Sequence, residues 1–131
     1  ESLLFEGVTG PYCQYAYARA QSILRKAGAF SADGAVDFSL LGSTEERALA
    51  SKLMEYGDVL SRAALEYNPA ALCAWLYESA RAFNQFYHTS WVFGLNVGHD
   101  LSQARLALVG AASAALKQGL ELLGITAIEE M

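Results

Sequence analysis

Four long segments of this chain carry apolar residues three and four positions apart, and breaking or capping residues separate the segments. This spacing places the apolar side chains on one stripe of an α-helix, which has to be buried against other helices. The chain has only two prolines and is 53% hydrophobic, so it can build a core from such helices. The sequence therefore predicts one all-α domain over residues 1–131, a bundle of about four main helices.

Start and stop signals set the predicted helix boundaries. Thr9 or Gly10 is expected to cap the first helix, which Gly28 ends, and the segment Ser43–Glu46 reads as a capping box that opens the second. Asn68-Pro69 separates the second helix from the third. The four helices are predicted at about residues 12–27, 43–67, 70–90 and 101–123. Loops are predicted over residues 29–42, with a turn at Asp33-Gly34, and around residues 94–98.

Composition excludes several classes of protein. The longest uncharged apolar run, residues 106–116, is too short to span a bilayer, and the acidic N-terminal segment does not resemble a signal peptide. Cys13 and Cys73 are lone cysteines in apolar helical contexts, which predicts reduced core thiols and a cytoplasmic location. The net charge of −5 argues against non-specific binding to DNA or RNA, so any RNA site has to depend on local placement of charge.

The first helix has one edge that is both aromatic and basic. Its apolar stripe consists of Cys13, Ala16, Ala20, Ile23, Leu24 and Ala27. One edge of that stripe carries Tyr12, Tyr15, Arg19, Ser22 and Lys26. Tyr17 lies at the opposite edge, and Gln14, Gln21 and Arg25 are predicted to face water. Aromatic rings and cations together stack bases and hold phosphates in single-stranded RNA recognition. The same composition also fits a bundle edge on which long cationic side chains cover apolar surface.

The third and fourth predicted helices each raise a further question. The third has a core stripe of Leu72, Trp75, Leu76, Phe83 and Phe86, with Tyr87 beside it, and the segment Phe83–His88 fits either core or a stacking surface. In the fourth, Arg105 lies near the middle of the apolar face. A buried guanidinium needs a carboxylate or several carbonyl partners, which favours a structural role over a ligand contact. The candidate partners are Asp58, Glu55 and Glu78.

Catalytic and metal-binding patterns are missing from the sequence. His88 and His99 have no cysteine or carboxylate at metal-ligand spacing, and no glycine-rich phosphate loop or nucleophile elbow occurs. Glu45 and Glu46 fall at a helix start and Glu129 and Glu130 near the chain end, which suits dipole complementarity and solubility. We therefore predict no catalytic centre, no metal and no cofactor in this chain.

Three blocks of the sequence resemble the C-terminal anticodon-binding domain of arginyl-tRNA synthetases, the domain named for a Asp-Ala-Leu-Arg motif. The blocks are FEGVTGPYCQYAYARAQSILRKAG (residues 5–28), LCAWLYESARAFNQFYH (residues 72–88) and residues 104–131, which end in EEM. They have the order and spacing of the family and cover most of the chain. The naming motif is present only loosely, as residues 102–105. A related domain occurs in the β subunit of the glycine–tRNA synthetase, and the first block argues against that assignment.

The resemblance implies a function that this chain performs only in part. The family joins arginine to its tRNA using ATP, in a catalytic domain that would lie upstream and that binds both ATP and arginine. Residues 1–8 are then expected to be the linker from that domain. The expected partners are the anticodon stem-loop of a tRNA for arginine and the catalytic domain of the same enzyme, with no membrane and no DNA.

The resemblance also implies RNA-binding residues. The family's first-helix tyrosines and arginine match Tyr12, Tyr15 and Arg19, and the tyrosine of its third-helix signature matches Tyr87, beside Asn84. The terminal methionine matches Met131, which would approach the central anticodon bases. Lys26 extends the edge that carries Arg19. The family often has proline where this chain has Ile128 and a basic residue where it has Glu130, and it often shows a Cys-Pro pair at Ser90-Trp91.

One alternative from a different class remains open at this point. A helical module that binds another protein could use the same aromatic edge for packing, and the net negative charge fits such a module. A stable homodimer that covers Tyr15 and Arg19 would support it.

Overall fold

The described part of the chain folds into five α-helices and one short 3-10 helix, without β-strands. In the computed structural model, the described residues are 9–28, 36–90, 92 and 97–131. The elements are α1 (Gly10–Ala27), the 3-10 helix Phe38–Leu40, α2 (Thr44–Met54), α3 (Tyr56–Leu65), α4 (Ala70–Thr89) and α5 (His99–Leu122). The predicted all-α bundle is confirmed. Residues 1–8, the Asp33-Gly34 turn, Trp91 and residues 94–96 lie outside the described residues.

Local signals in the sequence fix the helix ends. The predicted capping box forms: the Ser43 hydroxyl accepts from the Glu46 N–H at 3.1 Å, and the Glu46 carboxylate accepts from the Ser43 N–H at 3.0 Å. Gly28 ends α1 with φ 72° and Gly124 follows α5 with φ 79°, a left-handed backbone that glycine adopts readily. The N–H of Ile125 donates to the Leu120 carbonyl at 2.9 Å, which closes a Schellman motif after α5.

Helix α4 occupies the centre of the bundle and packs against each of the other four helices. Its predicted core stripe is confirmed, since its five residues are all at most 4% exposed. Burying each large apolar side chain of this kind contributes about 1.5–3 kcal/mol. A Cβ added at Gly119 of α5 would lie 2.7 Å from the Leu76 side chain, so α4 and α5 approach closely at this glycine.

The predicted second helix is interrupted at Glu55, which separates α2 from α3. The Glu55 N–H is shared between the Ser51 carbonyl at 3.3 Å and the Lys52 carbonyl at 3.2 Å, and the indole N–H of Trp75 donates to the Lys52 carbonyl at 2.7 Å. Tyr56, which begins α3, packs against Trp75 with ring centroids 4.7 Å apart. These contacts with α4 at the interruption are tertiary, and helical periodicity does not encode them.

The faces of α1 differ from the prediction in two ways. Tyr17, expected at an edge of the apolar stripe, is 2% exposed and belongs to the core. The face expected to meet water is exposed only in part: Arg25 is exposed, whereas Gln14 and Gln21 are half-buried beside the C-terminal tail (residues 125–131) and α5. Gln14 donates to the Thr126 carbonyl at 2.7 Å, Gln21 donates to the Ser113 hydroxyl, and Arg25 donates to the Glu129 carbonyl at 3.3 Å. Polar side chains on α1 therefore anchor the tail.

Arg105 has a carboxylate partner, as its burial requires, but the partner is Glu46. Its Nε donates to the Glu46 carboxylate at 2.6 Å, and the two side chains are 15% and 2% exposed. The three partners considered from the sequence, Asp58, Glu55 and Glu78, are wrong. The assignment of Glu46 to the surface is also wrong, because the capping box turns its side chain inward. Burial raises the pKa of Glu46, but hydrogen bonds from Arg105 and Ser43 outweigh that effect and hold the pKa below its ordinary value.

Neither Cys13 nor Cys73 forms a disulfide, as predicted. Cys13 is fully buried, and this burial, with a smaller contribution from Cys73, raises the pKa of the Cys13 thiol to about 12. The thiol is therefore protonated at neutral pH and acts as a core residue. Of the helices described, none combines the length and apolar character that crossing a membrane needs.

Candidate nucleic-acid interface

An open groove of about 680 Å³ runs between the second half of α1, the end of α4 and the end of the C-terminal tail. We call it the α1–α4–tail groove. It is lined by Tyr15, Ala18, Arg19, Ser22, Ile23, Arg25, Lys26, Tyr87, His88, Ser90, Val92, Glu129, Glu130 and Met131. Helical spacing explains the α1 wall, because positions 15, 19, 22 and 26 follow one edge of that helix.

Arg19 stands at the centre of one wall of the groove, between two tyrosine rings. Its guanidinium carbon lies 4.5 Å from the centroid of the Tyr15 ring and 4.7 Å from that of the Tyr87 ring. Both distances are within the range of cation–π attraction. The rings are 43% and 41% exposed, so each also presents aromatic surface to solvent. The arrangement fixes a cation between two accessible stacking surfaces.

Asn84 supports Arg19 from behind. Its side-chain oxygen accepts a hydrogen bond from the Arg19 guanidinium at 3.0 Å, and the residue is only 9% exposed. Among the described residues, no carboxylate lies within 4.0 Å of the Arg19 nitrogens. The positive charge of Arg19 is consequently held in place without being neutralised by an ion pair.

The C-terminal tail forms the opposite wall. It follows the left-handed turn at Gly124, and Ile125 and Ala127 pack against the core. Arg25 connects it to α1 through the Glu129 carbonyl and through the Glu130 carboxylate, 4.0 Å away. This ion pair is exposed on both sides and contributes little stability. Met131 is 61% exposed at the rim.

The groove has a local charge that differs from that of the whole chain. Its side chains contribute three cations, Arg19, Arg25 and Lys26, against the two side-chain carboxylates of Glu129 and Glu130. Only Arg25 of these cations is paired with a carboxylate in the part of the chain that the structure describes. Local placement of charge, which an RNA site requires in an acidic chain, is therefore present here.

The structure brings together five of the seven residues predicted to contact RNA: Tyr15, Arg19, Lys26, Tyr87 and, from the tail, Met131. Asn84 contacts Arg19 and does not line the groove. Tyr12 lies apart from it, half-buried, with its ring 5.5 Å from that of Tyr77 on α4. The prediction that Tyr12 and Tyr15 share one edge of α1 has the correct helical register. Tyr12 nevertheless packs against Tyr77 rather than lining the groove.

Sequence reasoning missed two groove residues that carry chemistry. His88 enters the sequence prediction of a binding surface only through the segment Phe83–His88, which fits core or a stacking surface; its exposed side chain lines the groove with the ring edge-on to Tyr87 at 5.4 Å. Arg25 was assigned to water, and its contact with the tail brings it to the rim. The position of His88 next to Tyr87 was a usable signal. The contact of Arg25 was not, because it depends on the path of the tail.

No group of three or more His, Cys, Asp or Glu residues is positioned to hold a metal ion within the described ranges. A second, shallow depression of about 220 Å³ is lined by Lys52, Glu78, Arg81 and neighbouring residues of α2 and α4. Its two cations differ, since Lys52 pairs with Glu78 at 2.6 Å, whereas Arg81 is exposed and lies over the Tyr77 ring at 6.0 Å.

Comparison with known proteins gives consistent matches. Curated arginine–tRNA ligases align with all of the chain: those of Clostridium botulinum (strain Langeland) and Cellvibrio japonicus at 42% identity, and that of Clostridium acetobutylicum at 43%. The solved structure of Thermus thermophilus arginyl-tRNA synthetase matches with a TM-score of 0.83 and 42% identity over the whole chain. The chain spans 23% of the length of these curated relatives and 22% of that solved chain.

A family profile described as the DALR anticodon binding domain matches residues 13–131. The match includes α1, α4, α5 and the tail, which are the elements that build the groove. It confirms the resemblance found in the sequence and does not favour the protein-interaction alternative. The chain belongs to the DALR anticodon-binding domain family.

Proposed function

We propose that this domain binds the anticodon stem-loop of a tRNA for arginine in the α1–α4–tail groove, as one part of an arginine–tRNA ligase. The observation that carries the proposal is the position of Arg19, an unneutralised cation between the exposed rings of Tyr15 and Tyr87. The family match and the relatives named above support the choice of partner.

The chemistry of the groove suits unpaired nucleotides. Bases in an anticodon loop can turn outward and stack on aromatic rings, and such stacking contributes about 1–3 kcal/mol per base. Tyr15 and Tyr87 each have roughly two-fifths of their surface exposed for this purpose. Arg19 and Lys26 would attract the phosphates that link the bases.

Reading the central anticodon base is a second part of the proposal. Arginine codons share a central G, so their tRNAs share a central C in the anticodon. Cytosine presents an exocyclic amine that donates a hydrogen bond, and a backbone carbonyl is a suitable acceptor. Glu129, Glu130 and Met131 of the tail line the same groove as Tyr15 and Tyr87, so a tail carbonyl could serve as that acceptor.

In this proposal, aminoacylation takes place in another domain of the enzyme. A separate catalytic domain would bind ATP and arginine, and residues 1–8 would connect it to the present domain. The chain described here would act by positioning tRNA, and it needs no cofactor of its own. A cytoplasmic location stays a prediction from the lone cysteines.

The test is a titration of the 131-residue chain with two anticodon stem-loops that differ only in the central base, at low salt. We expect the loop with central C to bind about tenfold more tightly, which corresponds to one good hydrogen-bonded contact to a base. Equal binding of both loops would contradict reading of the central base. Absence of binding to either would contradict the proposed function of this domain.

Two tyrosines of α4 provide a matched pair of variants. Tyr87 lies in the groove and Tyr77 outside it, and they are 41% and 38% exposed. We expect Tyr87→Ala to weaken binding of the preferred loop and Tyr77→Ala to leave it within about twofold. Equal loss in both variants would point to a general effect on the helix rather than to stacking in the groove.

A further inference from the structure

Arg19 is unusual among the partly buried cations of this chain, because its side-chain acceptor is neutral. Arg105 is paired with Glu46, and Lys52 with Glu78, each at 2.6 Å. Arg19 donates instead to the amide oxygen of Asn84. Asn84 is 9% exposed, so its side chain is fixed inside the bundle and directed toward α1.

Aspartate has nearly the same size and shape as asparagine, and it would accept the same hydrogen bond more strongly. It would also place a negative charge 3.0 Å from the guanidinium, where Asn84 places a neutral oxygen. The resulting ion pair would lower the positive potential of the groove wall and compete with any phosphate for Arg19. A neutral acceptor orients the guanidinium and leaves its charge available.

We infer that Asn84 is a positioning residue, which holds Arg19 between Tyr15 and Tyr87 while preserving its positive charge for a phosphate of the bound RNA. This inference rests on the proposed function, and it assigns Asn84 no direct contact with RNA. It predicts that charge at position 84, rather than shape, determines how strongly the groove binds a stem-loop.

The test is the variant Asn84→Asp, compared with Gln85→Glu as its control. Both substitutions keep the side-chain shape and add one negative charge to α4, but Gln85 is exposed and lies outside the groove. For Asn84→Asp we expect binding of the central-C stem-loop to weaken about tenfold, as for loss of a charge-assisted contact. The slope of log K against log salt, which is negative, should decrease in magnitude by about 0.7, the contribution of one phosphate on a single strand.

The control and the unfolding measurement separate charge from structure. Gln85→Glu should bind within about twofold of the wild type with an unchanged slope, and Asn84→Asp should unfold at the same denaturant concentration or a higher one. Equal affinity and equal slope in the two variants would overturn the inference. An unfolding midpoint lowered in Asn84→Asp, with the salt slope unchanged, would also overturn it, since the loss would then be structural.

A second variant tests positioning without RNA. In Asn84→Ala the guanidinium loses its acceptor, so the side-chain NMR signals of Arg19 and the ring signals of Tyr15 and Tyr87 should shift. In Asn84→Asp these signals should stay close to their wild-type positions. Unchanged signals in Asn84→Ala would overturn the positioning role, whether or not RNA binds. A wild-type domain that binds no stem-loop, with Arg19 signals that do respond, would contradict the proposed function and leave the positioning role standing.

Discussion

Arg19 and Arg105 are both arginines at contacts between helices, and the chain treats their charges in opposite ways. Arg105 is paired with the buried carboxylate of Glu46, which itself caps α2. Arg19 is held by two rings and an amide, with no carboxylate beside it among the described residues. The first arrangement satisfies the charge inside the protein, and the proposed function assigns the charge of the second to RNA binding. The contrast in charge compensation between these two arginines is therefore the central claim that the following experiments test.

The largest expected effect is on stability, at the buried Arg105–Glu46 pair, which we call the compensated site. Arg105→Ala leaves the Glu46 carboxylate buried without its cation, which costs about 3–5 kcal/mol in the free energy of unfolding. Urea unfolding followed by circular dichroism measures this loss. Arg47→Ala, at an exposed position of α2, is the control and should change stability by less than about 0.5 kcal/mol. Unchanged unfolding of Arg105→Ala together with lost RNA binding would reverse the roles that we assign to the two arginines.

A large effect on binding is expected at Arg19 and its two flanking tyrosines, which we call the uncompensated site. Tyr15→Ala removes one of the two rings that flank Arg19 and should weaken stem-loop binding by about 1–3 kcal/mol if a base stacks there. Its effect on stability should be small, because Tyr15 is 43% exposed. Titration of Tyr15→Ala beside Tyr77→Ala measures the difference. If Tyr15→Ala weakens every loop sequence equally, Tyr15 orients the RNA and does not read it.

Acidification should gradually remove the contribution of the Glu46–Arg105 pair to stability. The pKa of Glu46 is lower in the folded chain than in the unfolded one, so its contribution to stability is complete above the unfolded pKa, about 4.3, and is lost as the pH falls through the folded pKa. Urea unfolding between neutral pH and pH 3 should therefore show a steeper loss for the wild type than for Glu46→Gln. If stability falls with pH equally in the wild type and in Glu46→Gln, the pair of Glu46 with Arg105 does not contribute to the pH dependence of stability.

The smallest expected effect concerns Arg25, whose charge is compensated only in part. It lies 4.0 Å from Glu130, and both side chains are exposed. Glu130→Gln should change the free energy of unfolding by less than about 0.5 kcal/mol, as for an exposed ion pair. It should strengthen stem-loop binding by about two- to threefold, because one negative charge leaves the rim of the groove. Weaker binding in this variant would show that the tail depends on this ion pair for its position.

Local signals were sufficient for most of the fold and for part of the groove. The capping box at Ser43 and Glu46 and the glycines at positions 28 and 124 marked helix ends, and helical spacing placed Arg19 beside Tyr15. What the sequence could not provide depends on contacts between distant segments. The Trp75 indole donates to the Lys52 carbonyl where the helix is interrupted at Glu55, and the Glu46 side chain lies inside the bundle, where it accepts from Arg105.

The groove shows the same division. Tyr12 and Tyr15 share an edge of α1 and look equivalent in sequence, but Tyr77 on α4 engages only Tyr12. The neutral acceptor behind Arg19 was equally hidden, because Asn84 lies 65 positions away and its relation to Arg19 exists only in the packed bundle. A helical pattern defines a face, and the neighbouring helices decide which of its residues remain accessible.

The most direct test of the central claim is the salt dependence of stem-loop binding in Arg19→Gln and Arg105→Gln, each measured with its unfolding curve. The slope of log K against log salt is negative, and we predict that Arg19→Gln decreases its magnitude by about 0.7 while unfolding is nearly unchanged. Arg105→Gln should destabilise the domain and, at temperatures where it is folded, keep the wild-type slope. An unchanged slope in Arg19→Gln, or a reduced one in Arg105→Gln, would contradict the assignment of the uncompensated charge to RNA binding.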